Sequence, residues 1–459
     1  MTPDVLAAIT DGATDRPSAR RIAAVIGRMI TAGELAEGSR LPTVRELSRR
    51  LGVSPTTVSE AWRSLAAVGA IDAAGRRGTF VRAPTGPGGP RRYRRVTEGP
   101  GHFALDLSTG TPDPALLPDL GPVIARVATQ SVTSSYLDHP VLPALEEELR
   151  ATWPFSPAVV TVVDGAMDAL DRVADVVLRL GDRVVVEDPT FPPLLDLLEQ
   201  MGCEVVGIDV DDDGPSVAGL RAALAIGPVR AVVLQPRAQN PAGACLTPAR
   251  ARALAGALDG TATIVIEDDH ANAISTAPLV SIGRARPEHT VHIRSFSKSH
   301  GPDLRLAAVG GAGDIVSQVA NRRLLGPGWS SRLLQAVLLE LLRDPATVTG
   351  LAEAATTYAH RRDVVSSALT RSDVGLTGRD GINLWVTVSD ERAAMMALAT
   401  RGIGVAPGTP FQVRPGGSDH VRVTVGLIGG RDDEIEALAT VLADAAHLGG
   451  HAPRRSTHR

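Results

Sequence analysis

The chain has 459 residues, a formal net charge of −4 and 44% hydrophobic residues with few aromatics, which fits a globular protein of roughly three domain-sized units. Its two cysteines, Cys203 and Cys245, form neither a disulfide framework nor a metal-spaced cluster, so no metal is expected, and no apolar run approaches the ~20 residues of a membrane span. The first hundred residues carry +7 and the remainder −11, the asymmetry expected when one end meets nucleic acid, although a solvated basic face would give the same count.

In chain order, residues 1–17 are small and polar and read as a flexible terminus. They lack a basic start followed by an apolar core, so no signal peptide is expected and the cytoplasm is the expected compartment. Ser18 to about Ala32 carries Ile22, Val25, Ile26, Met29 and Ile30 at helical spacing. The turn-rich stretch Gly33–Pro42 connects to a second helix ending at Leu51, with Thr43 and Glu46 spaced as a capping box. Gly52-Val53-Ser54 is a tight turn. Ser54 caps a third helix, Pro55 takes its first position, where a missing N–H costs nothing, and Val58, Trp62 and Leu65 form its inner face. Arg76-Arg77-Gly78 and Thr79-Phe80-Val81 read as the basic tip and second strand of a two-stranded wing. Two short helices joined by a Gly-containing turn make a helix-turn-helix whose second helix reads a groove. A plain helical hairpin is the alternative for the helices alone.

The segments Leu41-Pro-Thr-Val-Arg45-Glu-Leu47, Leu51-Gly-Val-Ser-Pro-Thr-Thr-Val58 and Gly78-Thr-Phe-Val81 together resemble the GntR-type winged helix, over residues 18–83. The resemblance implies operator DNA as partner. Arg45 and the helix start at Ser54, Pro55, Thr56 and Thr57 would face it, and Arg77 and Gly78 would enter the adjoining groove. Hydroxyls and N–H groups at a helix N-terminus suit phosphate, and arginine suits guanine or phosphate. Pro55 stands where relatives often have arginine, which removes one base contact.

Residues 84–103 are rich in Gly and Pro and contain Arg91-Arg-Tyr-Arg-Arg95, the pattern of a basic linker. From 104 to 450, short apolar runs alternate with helical stretches. Expected strands are Arg183–Glu187, Glu204–Val210, Arg230–Gln235, Thr261–Glu267, Val291–Ser295 and Leu306–Gly310, with helices such as Pro193–Met201 and Pro248–Leu258 between them. This alternation implies a largely parallel α/β sheet, and ligands of such sheets bind beyond the carboxyl ends of the strands. The rule selects the loops Asp188–Phe191, Gln235–Gly243, Asp268–His270 and Ser295–Lys298. Residues 451–459 read as a flexible tail.

Lys298 is the only lysine in the chain. Arginine stays protonated at any working pH, whereas a lysine amine can be deprotonated and attack a carbonyl. Its commonest cofactor partner in that chemistry is pyridoxal 5′-phosphate, PLP. A high-GC coding bias would also leave a stray lysine, so the neighbours decide.

Those neighbours, in their order from about Leu107 to Leu442, resemble the fold-type I PLP enzymes, the aspartate aminotransferase fold. The resemblance implies a Schiff base at Lys298 and Asp268 opposite the pyridine nitrogen, where a carboxylate keeps that nitrogen protonated. It implies Asn240 donating to the ring 3′-oxygen and Phe191 stacked on the ring. Gly165, Ala166, Ser295 and Arg305 would hold the phosphate, and Tyr136 would reach a neighbouring subunit's phosphate. Arg422, in Val421-Arg-Val-Thr424, would clamp an amino acid's α-carboxylate, a bidentate task unsuited to lysine. One position departs: His270 occupies the loop where the family has a tyrosine bonding the 3′-oxygen. Histidine can donate the same bond, but its charge changes near neutral pH, which weakens transamination rather than cofactor binding.

A winged helix, a linker and an aminotransferase-like body with large and small subdomains together resemble the MocR subfamily of transcriptional regulators. This implies a multidomain, PLP-dependent regulator whose body senses PLP, or an amino compound through it, at Lys298, in a head-to-tail homodimer. Two alternatives stay open: a working aminotransferase with a DNA-binding appendage, and a body that only dimerises.

Overall fold

The computed structural model describes residues 17–31, 34–36, 38–67, 70–73, 78–81, 91–97, 103–130, 135, 138–414 and 416–448. Arg77, Tyr136, the tail 451–459, most of the stretch 84–103 and nearly all of 1–17 lie outside the described residues. The chain divides into two units: one runs to Arg91 and also takes in Leu178–Arg183 and Asp196–Val205, and the other holds the rest.

In the N-terminal unit the apolar stripe forms the helix Ala19–Thr31. Ile22, Val25, Ile26 and Met29 are buried in one core with Leu47, Leu51, Val58, Trp62 and Leu65. The second helix spans Val44–Leu51 and ends at Gly52, whose φ of 66° is left-handed. Thr43 Oγ1 accepts the Glu46 N–H at 3.2 Å. The capping box is half-made, however, because the Glu46 carboxylate pairs with Arg50 at 3.3 Å, an i,i+4 contact on its own helix. The third helix spans Pro55–Ala67, and Ser54 Oγ accepts the Thr57 N–H at 3.1 Å. The wing has three strands rather than two. β1 (Arg40–Leu41), from the stretch expected to be a connector, joins β2 (Ile71–Ala73) and β3 (Thr79–Val81) in the antiparallel order β1-β3-β2.

In the larger unit, β4 (Leu105–Leu107) belongs to a small sheet and the next strands to a large one. The large sheet contains β5 (Val159–Val163), β6 (Arg183–Asp188), β7 (Glu204–Asp211), β8 (Gly214–Pro215), β9 (Ala231–Leu234), β10 (Ile264–Asp269), β11 (Thr290–Ser295) and β12 (Ala307–Gly311), in the order β5-β12-β11-β10-β9-β6-β7-β8. Its centre reads as continuous apolar runs because both faces are buried. The parallel pairing expected holds for β11, β10, β9 and β6. It fails at β12, which is antiparallel to both β11 and β5, and β5 was not among the expected strands.

The small sheet has the order β13-β14-β16-β15-β4 and is completed by β13 (Leu376–Thr377), β14 (Leu384–Thr387), β15 (Ile403–Pro407) and β16 (His420–Val423). The helices Pro345–Arg371 and Asp432–Ala446 cover it through Val365, Leu369, Ile435 and Leu442. Part of the stretch read as a linker is not a tether. Arg91–Thr97 is a helix, and Val96 is buried with Trp385, Ala406 and Phe411. No helix among the described residues is long and apolar enough to cross a membrane.

Candidate functional site

Successive side chains of a strand point to opposite faces, and this splits the carboxylate pair that ends β10. Asp269 is taken by Arg237, whose Nε and Nη2 donate to its two oxygens at 3.1 and 2.6 Å. Burial opposes its charge, but Arg237, with His292 and Arg294, holds its pKa below the usual carboxylate range. Asp268 turns the other way. Its Oδ2 accepts Gln235 Nε2 at 2.7 Å, and its Oδ1 is buried with no hydrogen-bond partner among the described residues. Burial pushes the Asp268 carboxyl up to about 6, against the Gln235 amide and the Lys298 charge, which favour ionisation.

Lys298 follows β11, the strand paired in parallel with β10. Burial pulls its amine down to about 8; Asp268 opposes that shift and Arg422 adds to it. His270 sits between the two strand ends. Its Nε2 lies 2.9 Å from the Ala238 carbonyl oxygen, an acceptor only, so this nitrogen carries the proton and donates. Nδ1 therefore presents a lone pair, and Lys298 Nζ donates to it at 3.1 Å. The expected change of charge near neutral pH does not occur, because burial, reinforced by Lys298, pushes the imidazole down to about 3. In this arrangement His270 Nδ1 accepts a hydrogen bond from Lys298 and has no proton to give toward the site.

Gln235 stood in a selected loop but had no role in the sequence reading. Its Nε2 holds Asp268, and its Oε1 accepts the Asn240 N–H at 2.8 Å. One amide thus fixes two of the expected cofactor contacts. Its place at the carboxyl end of a strand was the available signal. Asn240 Oδ1 accepts Arg422 Nη1 at 3.4 Å. Phe191 is half-buried and leads into the helix Pro192–Gln200, its carbonyl accepting the Leu194 N–H at 3.0 Å.

The expected phosphate residues collect at one edge of the large sheet. Ser295, Ala307 and Val163 are in register across β11, β12 and β5. Just beyond Val163, Gly165 precedes the helix that starts at Ala166. Gly165 has a φ of +103°, and a Cβ there would stand 3.2 Å from Arg305 Nη2, so the guanidinium closes over bare backbone. Arg305 Nη2 also donates to the Asp164 carbonyl at 3.3 Å. A helix start, a buried hydroxyl and an exposed guanidinium fork suit a phosphate monoester.

Arg422 projects from β16 and is buried. Nη2 donates to the Ser108 carbonyl, and Nε is buried with no hydrogen-bond partner among the described residues. Among the described residues no carboxylate pairs with it. Burial draws its pKa down to about 10, partly offset by Tyr93 and Asp106. Gly110 lies against it: a Cβ on Gly110 would stand 3.0 Å from Nη1.

In the N-terminal unit, Arg45, Ser54, Pro55 and Thr56 are exposed, while Thr57 is half-buried with its hydroxyl 2.8 Å from Ser54 Oγ. Gly78 has a φ of +112°, and a Cβ there would meet Arg40 Nε at 2.9 Å. Arg40, a basic side chain against the wing that the sequence reading passed over, lies on β1.

A helix-turn-helix unit with a wing, and a body with an aminotransferase fold built around a half-buried lysine, define a two-part chain of the bacterial regulator type. Residues 18–81 match the family described as bacterial regulatory proteins, gntR family, and residues 104–442 match aminotransferase class I and II. The chain belongs to the aminotransferase class I and II family and carries a gntR-type helix-turn-helix domain ahead of it. It is 34% identical over 438 residues to the vitamin B6 salvage pathway transcriptional repressor PtsJ of Salmonella typhimurium, covering 94% of this chain and 99% of that protein. It is 25% identical to the HTH-type pyridoxine biosynthesis transcriptional regulator PdxR of Corynebacterium glutamicum, over 92% of this chain and 95% of that one. The body has the fold of an archaeal alanine:glyoxylate aminotransferase, with a TM-score of 0.68 and 23% identity over 78% of this chain and 93% of the other.

Proposed function

We propose that this protein is a PLP-dependent transcriptional regulator that binds operator DNA through residues 18–83 and senses PLP, or an amino compound through it, in the body formed by residues 104–450. One observation carries the reading. A buried carboxylate oxygen on Asp268 and a buried guanidinium on Arg422, neither with an ionic partner among the described residues, lie close enough to the only lysine to shift its pKa. Leaving such groups unmatched is costly unless a ligand completes them.

PLP supplies, when bound, an electrophilic aldehyde and an electron-poor ring. Lys298 Nζ, half-buried and with its pKa near 8, would be the nucleophile for that aldehyde. Asp268 Oδ1 would accept from the ring N–H, and Asn240 would donate to the 3′-oxygen. Phe191 would cover one ring face, and Gly165, Ala166, Ser295 and Arg305 would hold the phosphate. Arg422 would take a carboxylate. His270 Nδ1 accepts a hydrogen bond from the lysine amine and offers the 3′-oxygen no donor, which favours sensing over rapid transamination.

A head-to-tail homodimer completes the reading. Leu324, Leu325 and Leu333 are exposed and would be covered by a second copy, and Tyr136 would act across that interface. The likeness in both units to the regulators PtsJ and PdxR supports a cytoplasmic regulator acting in vitamin B6 control.

Borohydride reduction of the PLP-loaded protein followed by peptide mapping tests this. The pyridoxyl group should appear on the Ser295–Arg305 peptide, at Lys298. A modified site elsewhere, or no fixed cofactor after loading, removes the reading.

A further inference from the structure

Arg422 has two cross-strand neighbours, Trp385 on β14 and Ala406 on β15. Directly opposite residues project to the same side of a sheet, so Arg422 shares its face with both. Trp385 and Ala406 form one buried apolar cluster with Phe411 and Val96. Phe411 links the cluster to the guanidinium: its ring centroid is 5.6 Å from that of Trp385 and 5.1 Å from Arg422 Cζ, within cation–π range.

The backbone around Phe411 is gripped from the same helix that supplies Val96. Arg92 Nη1 donates to the Gln412 carbonyl at 2.8 Å and stands 3.4 Å from the Pro410 carbonyl. The helix Arg91–Thr97 therefore holds the support of Arg422 at two points, Val96 on the ring cluster and Arg92 on the turn that carries Phe411. Along the chain, this helix follows the wing strand β3 after residues 82–90 alone.

We propose that the Arg91–Thr97 helix is the element that registers whether Arg422 holds a carboxylate and passes that state to the DNA-reading unit, with Arg92, Val96 and Phe411 as positioning residues. The proposal rests on Arg422 being the carboxylate clamp. A bound carboxylate neutralises the guanidinium and draws it toward the ligand, weakening its hold on the Phe411 ring. Phe411 then shifts against Trp385, Val96 and the two carbonyls that Arg92 grips. The bond pattern reads in both directions, so a displaced helix weakens carboxylate binding by the same factor that carboxylate binding displaces the helix.

Hydrogen exchange on the full-length, PLP-loaded protein decides this, with the visible cofactor band read on the same samples and L-alanine as probe. In the wild type, L-alanine should shift the band and change exchange at amides 91–97 by about fivefold or more, the low end of ordinary site-to-site coupling. In Phe411→Leu, and separately in Arg92→Gln at a partly exposed position, the band should still shift while exchange at 91–97 no longer responds. A band shift in the wild type with unchanged exchange at 91–97 overturns the helix as readout and leaves the clamp standing. No band shift overturns the clamp and, with it, the readout.

Discussion

His270 accepts a hydrogen bond from Lys298: Nδ1 stands 3.1 Å from Nζ, and the ring is fixed in that sense by Nε2 donating to the Ala238 carbonyl 2.9 Å away. The pair sorts protons by burial. The imidazole is pushed to about 3 and the amine to about 8, so at neutral pH the histidine is neutral and the lysine lies within about one unit of losing its proton.

Covalent attachment of PLP needs the free amine. Its rate should rise with pH through a step centred near 8, rather than near the ordinary lysine value of 10.5. His270 should add no step between pH 5 and 7, where an unperturbed histidine would titrate; a step near 6 belongs to the Asp268 carboxyl and should vanish in Asp268→Ala. Stopped-flow absorbance across pH 5–10 reads both features, and a midpoint above 10 would remove the burial argument.

Replacing the acceptor with a donor should favour turnover. His270→Tyr places a hydroxyl in the loop where the resemblance to the aminotransferase fold expects a tyrosine, and should raise single-turnover transamination by about tenfold, the effect of roughly 1.4 kcal/mol. An unchanged or slower rate would show that the missing donor does not limit the chemistry.

Cofactor binding and effector response should separate between two residues. Asp268→Ala removes the acceptor for the ring nitrogen and should weaken PLP binding by about 10- to 150-fold, the 1.5–3 kcal/mol of a hydrogen bond to a charged group. Arg422→Leu removes a buried cation that has no ionic partner among the described residues, and should leave PLP affinity within about threefold of wild type, while abolishing any spectral response to amino acids. Equilibrium titration of both variants checks this. Equal losses of PLP affinity would mean that Arg422 serves the cofactor.

In the DNA-reading unit, Arg45→Ala should cost about 1–3 kcal/mol of operator affinity if the side chain reads a base. If it meets a phosphate, the loss should be smaller and the salt slope should fall by about one. Fluorescence anisotropy at several salt concentrations distinguishes the cases. Unchanged affinity and slope would place Arg45 off the DNA.

Much of this was legible in the sequence because local rules dominate where it was read well. The Ser54 cap, the Gly52 turn and the Val58–Trp62–Leu65 face depend on residues within one or two turns. The loops at strand ends found Lys298, Asp268 and Asn240, because the strand order places those ends together. What escaped depends on contacts distant in sequence. Gln235 reaches Asp268 across 33 positions and Arg92 reaches Gln412 across 320. The lone pair of His270 is set by a backbone carbonyl 32 residues away. Strand β12 runs antiparallel between β11 and β5, and the alternation of strands and helices does not encode that reversal.

The most direct test of the regulator is operator affinity of the full-length protein with and without saturating PLP, measured in parallel for the wild type and Lys298→Ala. The wild-type affinity should change by about fivefold or more on adding PLP, within the ordinary range of coupling between two sites, and the Lys298→Ala affinity should stay constant. A Lys298→Ala protein that responds as the wild type does would contradict sensing through this lysine.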